Sequence, residues 1–111
     1  MKEGDIILTP VPQSDGQIKN RPALFLRELP PFNDALVCGI STQVQQQVIG
    51  FDEIIEQSDG DFSSSGLMAN SLIRLGFLAV IPRPKIIGSI GSIATDRHKR
   101  LLKNLSDYLI K

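Results

Sequence analysis

Turn signals interrupt this chain roughly every dozen residues until its last stretch, and only short apolar runs rich in β-branched residues lie between them. That punctuation leaves no room for a long helix before the carboxy-terminal segment, and it points to a barrel or sandwich of short strands. Asp5 to Thr9 is the first run, ended by Pro10 and Pro12 and followed by the turn-rich Gln13-Ser14-Asp15-Gly16. Pro22 to Leu26 is the second, closed by Pro30-Pro31 and Asn33-Asp34. Ala35 to Ile40 is unbroken apolar sequence, which predicts burial on both faces or against a partner. Thr42 to Gln47 reads as a loop or short edge strand, and Ser63-Ser64-Ser65-Gly66 as a loop. Ser71 to Leu75 and Phe77 to Ile81 read as two strands or as one bent at Gly76, since glycine inside a strand marks a bulge or a close backbone approach. Lys85 to Ile90, introduced by Pro82 and Pro84, is the last predicted strand.

The end of the chain changes period. Leu101, Leu102, Leu105, Tyr108 and Leu109 recur at helical spacing, with Arg97, Lys99, Arg100 and Lys103 mostly outside that stripe. The pattern predicts an amphipathic helix from about Asp96 to Leu109 lying across the strands, with Thr95 as its N-cap and Asp96 complementing the dipole. A chain of 111 residues with 41% apolar content is read as one domain over 1–111, able to build a core without staples. The lone Cys38 lies in an apolar run with nothing cationic beside it, so it reads as a small core residue and favours a reducing compartment. The opening residues do not resemble a leader, and no apolar stretch approaches the roughly 18 residues of a membrane span. A cytoplasmic, soluble protein is the expectation.

Formal net charge is zero and the pI is ≈ 6.6, which does not by itself suggest a nucleic-acid binder. The two signs are nonetheless segregated. Asp52, Glu53, Glu56, Asp59 and Asp61 form an acidic stretch, whereas Arg74, Arg83, Lys85, Arg97, Lys99, Arg100 and Lys103 follow with only Asp96 against them. A local basic surface is compatible with this layout, although charge alone favours solvated strand and helix faces. There is no Cys/His cluster with metal-ligand spacing, no P-loop and no dinucleotide fingerprint. His98 is the single histidine and reads as an exposed surface residue. Arginines, hydroxyls and carboxylates remain as catalytic material.

Five segments, in order, carry a resemblance. They are Gly4-Asp5-Ile6-Ile7-Leu8, Asn20-Arg21-Pro22-Ala23-Leu24-Phe25-Leu26, Val37-Cys38-Gly39-Ile40-Ser41-Thr42, Phe62 to Arg74 with Gly66-Leu67 and Asn70-Ser71, and Ile87-Gly88-Ser89-Ile90-Gly91 before the terminal helix. Each is a weak motif, but the ordered set resembles the PemK/MazF family of toxins over nearly the whole chain. The resemblance implies an SH3-like β-barrel with a carboxy-terminal helix, acting as a homodimer. It also implies an endoribonuclease of a type II toxin-antitoxin system that cuts single-stranded mRNA at short sequences without metal or other cofactor. A cognate antitoxin is the implied protein partner, with DNA touched only through the antitoxin complex.

Carried over residue by residue, the resemblance implies catalytic roles for Arg21, Ser41 and Arg74. Attack by a ribose 2′-OH on the adjacent phosphate builds negative charge that a guanidinium answers with fixed, always-protonated donors. Ser41 or Thr42 would bond a phosphate oxygen or orient the 2′-OH. The loop with Gln13, Ser14, Asp15, Gln17 and Lys19 would read bases, with Thr42, Asn70 and Ser71 as further substrate contacts. Taken singly, Arg21 reads as a solvated edge residue, Ser41-Thr42 as strand-exit polars bonding local backbone, and Arg74, out of phase with Ile73 and Leu75, as a residue that faces solvent or pairs with an acidic neighbour. Asn70 stands where many members have Asp, and Gly76 where some carry a carboxylate. No general base is identifiable, Asp15 being the carboxylate put forward. The alternative reading is a catalytically silent barrel that serves as a binding or regulatory protein.

Overall fold

The computed structural model describes residues 1–12 and 15–111. The protein is mainly β. Strands β1 (Asp5–Pro12), β2 (Ile18–Leu29), β3 (Asp34–Ser41), β4 (Glu53–Ile55), β5 (Ser71–Ile81) and β6 (Gly88–Ser92) pair antiparallel in the order β4-β5-β3-β2-β1-β6. The sheet curls into a half-barrel, the form in which the expected SH3-like barrel is present. A one-turn helix α1 (Phe62–Ser65) precedes β5, and helix α2 (Thr95–Leu109) ends the chain.

Both sides of the sheet are apolar in its middle, which explains the unbroken runs in β2 and β3. One cluster combines Ile6, Leu24, Leu26, Cys38, Ile55, Ile73 and Leu75 with Leu101 and Leu105 of α2. The other holds Ile7, Ala23, Phe25, Ala35 and Val37, closed by Ala79, Ile81 and Ile86. Cys38 is fully buried, and burial, aided by the charge of Asp52, pushes its thiol up to about 12. It is the small, inert core residue its setting predicted.

Several expectations are corrected. The last strand is not Lys85–Ile90 but Gly88–Ser92, because Arg83–Lys85 turns as a 3-10 helix in which the Lys85 and Ile86 amides bond the carbonyls of Pro82 and Arg83. Thr42–Gln47 holds a 3-10 turn at Val44–Gln46 rather than a strand, Ser63–Gly66 lies largely in α1, and the acidic stretch supplies β4. Thr95 is the first residue of α2 and not its cap. The preceding Ala94 amide instead donates to Asp61 Oδ2 at 3.0 Å. The apolar stripe of α2 fades after Leu105, leaving Tyr108 and Leu109 exposed. His98 is not a surface residue: it is partly buried, and its Nε2–H donates to the Leu26 carbonyl at 2.8 Å, tying helix to sheet.

Glycine is required where α1 meets β6. A methyl group on Gly91 would collide with the Ser64 and Ser65 backbone, and one on Gly66, at φ +75°, with the Ile90 carbonyl. This explains Gly91 without any phosphate cradle.

β5 bulges as predicted at Gly76. Gly39 is level with Arg74 while Cys38 is level with Leu78, so Leu75, Gly76 and Phe77 loop out of the ladder. The buried carboxylate of Asp52 accepts from the Leu75 amide at 3.0 Å and from the Val48 amide at 2.9 Å, which holds the bulge. Asp52→Ala leaves both amides without that acceptor and is expected to destabilise the protein by about 2 kcal/mol. Urea unfolding checks this, and an unchanged midpoint would show that the bulge stands without Asp52.

Candidate functional site

The three residues singled out as catalytic lie on adjacent strands and on one face. Ala23 is level with Gly39 and Gly39 with Arg74, so continuing the β2–β3 ladder by two residues brings Arg21 level with Ser41, which is itself level with Leu72. Side chains level across antiparallel strands share a face, as do alternate residues along each strand. Lys19, Arg21, Ser41 and Arg74 therefore rise from the same side. From the strand spacing and rise, the Cα atoms of Arg21 and Arg74 are about 12 Å apart on the diagonal, within the combined reach of two arginine side chains. Beside them on this face, Thr9 level with Arg21, Leu72 level with Ser41, and Ala23 are all buried. The out-of-phase position of Arg74 thus aims it away from the α2 cluster and onto this second face.

Arg21 is exposed and Arg74 partly buried, and Arg74 makes no ion pair or side-chain hydrogen bond among the described residues. Ser41 Oγ accepts from the Gln43 amide at 3.0 Å, the local backbone role a strand-exit hydroxyl ordinarily has. Its own proton is left to donate outward. Thr42 is exposed beside it. Asp15 is exposed and accepts from the Gln17 amide at 3.0 Å, while Gln17 and Lys19 are also exposed at the end of the β1–β2 hairpin. Gln13 and Ser14 lie outside the described residues.

Two expected substrate contacts are otherwise occupied. Asn70 Oδ1 accepts from the Gln57 amide at 2.8 Å, so that oxygen is committed to bracing the loop after β4. Ser71 is buried, level with Ile55 of β4, and donates to the Ala69 carbonyl at 2.8 Å. It is one position out of phase with Leu72 and Arg74, which turns it to the opposite face.

The basic carboxy-terminal residues do not form the surface that charge segregation left open. Arg97 is buried and uses all five N–H donors: Nε and Nη2 to Asp61, Nη2 to Asp59, and Nη1 to Glu53 and the Ile54 carbonyl. Arg100 bonds Glu53 and Asp96, Lys103 bonds Asp107 and Arg83 bonds Glu28. The acidic stretch is thus held mainly by the helix that follows it, and the solvated-face reading fails for Arg97. Hydrogen bonds to Glu53 and Asp96 raise the Arg100 guanidinium above its ordinary range. Two cavities, of about 460 and 390 Å³, lie along this helix and include none of Arg21, Ser41 or Arg74. The candidate site is an open, basic sheet face, suited to an extended polyanion rather than an enclosed small molecule.

One residue of this face went unmarked in the sequence. The β5 bulge lays Phe77 over Gly39, where a methyl group on Gly39 would come within 3.1 Å of the Phe77 ring. The only sequence signal was an aromatic residue following a strand glycine.

Residues 2–109 match the family model described as "PemK-like, MazF-like toxin of type II toxin-antitoxin system". No curated protein matches the chain. No helix among the described residues is long and apolar enough to cross a membrane.

Proposed function

The chain belongs to the PemK-like, MazF-like toxins of type II toxin-antitoxin systems, and from that premise we propose that its open sheet face is the active surface of a sequence-specific endoribonuclease cutting single-stranded mRNA. The observation that carries the reading is the shared face of Arg21, Ser41 and Arg74. Alternation along one strand does not produce it. Three strands had to meet in the right register.

The chemistry follows from the charges. The 2′-oxygen of one nucleotide attacks its own 3′-phosphate, and the P–O5′ bond breaks as the new P–O2′ bond forms. The 2′-OH proton passes to a base and the departing 5′-oxygen takes one up. Charge accumulates on the non-bridging oxygens, where Arg21 and Arg74 offer forked donors from two sides and Ser41 donates its hydroxyl proton. These residues do their work by charge and position, so the proposed step runs without a metal or other cofactor. The products are a 2′,3′-cyclic phosphate and a 5′-hydroxyl.

Family membership implies an antitoxin partner, and this reading places the antitoxin over the same basic face through an acidic, apolar segment. The protein is taken as a cytoplasmic homodimer that meets DNA only within the antitoxin complex. Purified protein incubated with a long RNA in the presence of chelator is expected to give discrete fragments with cyclic phosphate ends. Intact RNA at high protein concentration would instead favour the catalytically silent barrel, with the same face serving for binding alone.

A further inference from the structure

We propose that Phe77 is a stacking platform for one base of the RNA, next to the phosphate held by the arginines. This inference rests on the RNA-cutting assignment and assigns a positioning residue to it.

Four observations converge on the ring. Phe77 sits in the bulge of β5, a device that re-aims a side chain away from its regular position. Its ring lies over Gly39, contacting the space where any other residue would carry its Cβ. Gly39 is level with Arg74 on one side and Ala23 on the other, so the ring stands on the same face as Arg21 and Ser41. Yet 53% of the residue remains exposed, so the side chain that packs against Gly39 still presents about half of its surface to solvent.

A lone exposed phenylalanine needs no explanation by itself. This one sits on a bulge braced by the Asp52 carboxylate and packs against Gly39, near Arg74, which has no ion pair among the described residues. A rigid, open π-face beside cationic donors is what a single-stranded nucleotide requires, with base on ring and phosphate on guanidinium. Stacking tolerates every base, so Phe77 sets the position of the chain and leaves sequence choice to other side chains.

The chain contains no tryptophan, which supplies a direct probe. Phe77→Trp, made in an Arg74→Ala background so that RNA stays uncut, places a single indole at the site. Titration with a mixed-sequence single-stranded RNA is expected to quench its emission to saturation. An indole at the exposed Tyr108 of α2, made as Y108W in the same background, is expected to stay unaffected.

In the cleaving protein, Phe77→Ala and Phe77→Leu are both expected to lower kcat/KM about 5- to 100-fold, mainly through KM, with thermal midpoints close to the parent. Phe77→Tyr is expected to retain activity within a few-fold. Leucine keeps bulk without a π-face, so a fully active Phe77→Leu variant would overturn stacking. Indole emission that ignores RNA, while labelled RNA shows binding by anisotropy, would also overturn it and leave the ring to a protein partner. Wild-type cleavage with a blind indole sinks this inference alone. Saturable quenching without wild-type cleavage sinks the nuclease reading alone, and no RNA binding at all removes both.

Discussion

Arg74→Ala is expected to slow single-turnover RNA cleavage by a hundredfold or more, and Arg21→Ala by a similar factor. Removing one preorganised donor from a developing oxyanion typically costs about 10²–10³ in rate. Both guanidiniums are asked to bond an oxygen whose charge grows further as the 2′-oxygen attacks, so most of the loss belongs in kcat, with a smaller part in KM from the ground-state phosphate contact. The proposed mechanism has both residues act on one phosphate, so the double variant should fall well short of the product of the single effects. Arg74→Lys keeps the charge without the fork and should recover only part of the rate.

The structure provides a control for this result. Arg74 has no ion pair or side-chain hydrogen bond among the described residues, so its loss should move the unfolding free energy by no more than about 0.5 kcal/mol. Binding of uncut RNA should also lose about 0.7 from its log–log salt slope for the phosphate contact removed. Cleavage by Arg74→Ala within threefold of wild type would remove this residue from the chemistry.

Arg97→Met is expected to affect the fold rather than the reaction. Its guanidinium bridges Asp61, Asp59 and Glu53, and the side chains of Arg97, Asp61 and Glu53 are 10%, 8% and 17% exposed. Taking away the cation strands carboxylates in a partly dehydrated site, an effect of about 3–5 kcal/mol when one partner of a buried pair is lost. Removing the charge from both sides, as in Arg97→Met with Asp61→Leu, should return much of that stability. Residual folded Arg97→Met protein should cut RNA at the parental rate, since this network lies apart from the Arg21 face.

The same network is expected to make stability fall in acid. Burial works to raise the Asp61 carboxyl, but the hydrogen bond from Arg97, the Ala94 amide and the charge of Arg97 outweigh it and hold the group below the usual carboxylate range. Burial likewise opposes the charge on Arg97, and Asp61, Glu53 and Asp59 more than compensate. A carboxyl whose pKa is depressed by folding contributes its full stability above its unfolded value, near pH 4. That contribution is lost as pH falls through the lower folded value. Urea unfolding from pH 7 to pH 2.5 should show wild type losing stability below about pH 4, with the Arg97→Met curve converging on it there. Parallel curves across that range would mean that Asp61 owes nothing to Arg97.

How much of this was readable in advance differs element by element. Alternating and unbroken apolar runs located β1, β2, β3 and β5 because a strand's local period is fixed by its own burial. The 3.6-residue stripe located α2 for the same reason. β6 was misplaced because prolines 82 and 84 close a turn as readily as they introduce a strand. β4 was hidden because three residues in an acidic stretch carry too little pattern. The Thr95 cap failed because the helix starts one residue earlier than expected, making Thr95 its first residue and Ala94 the cap position.

The candidate site divides along the same line. Arg21, Ser41 and Arg74 were identified by their place in an ordered set of motifs, and their shared face became visible only through strand register. Ser71, adjacent in sequence to the site, points away because one residue of shift reverses the face. Phe77 could not be picked out, since a bulge is a relation between two strands and leaves only a glycine as its local trace.

The strand-rich architecture, the terminal helix and the membership in the toxin family all follow from local periodicity and ordered motifs, which are properties of neighbouring residues. The tertiary structure decided which charges are spent internally and which face outward. Arg97 and Arg74 are both arginines in neighbouring basic sequence, yet long-range pairing buries one among carboxylates and leaves the other on an open sheet face. Electrostatic roles depend on distances between residues far apart in the chain, and folding alone sets those distances.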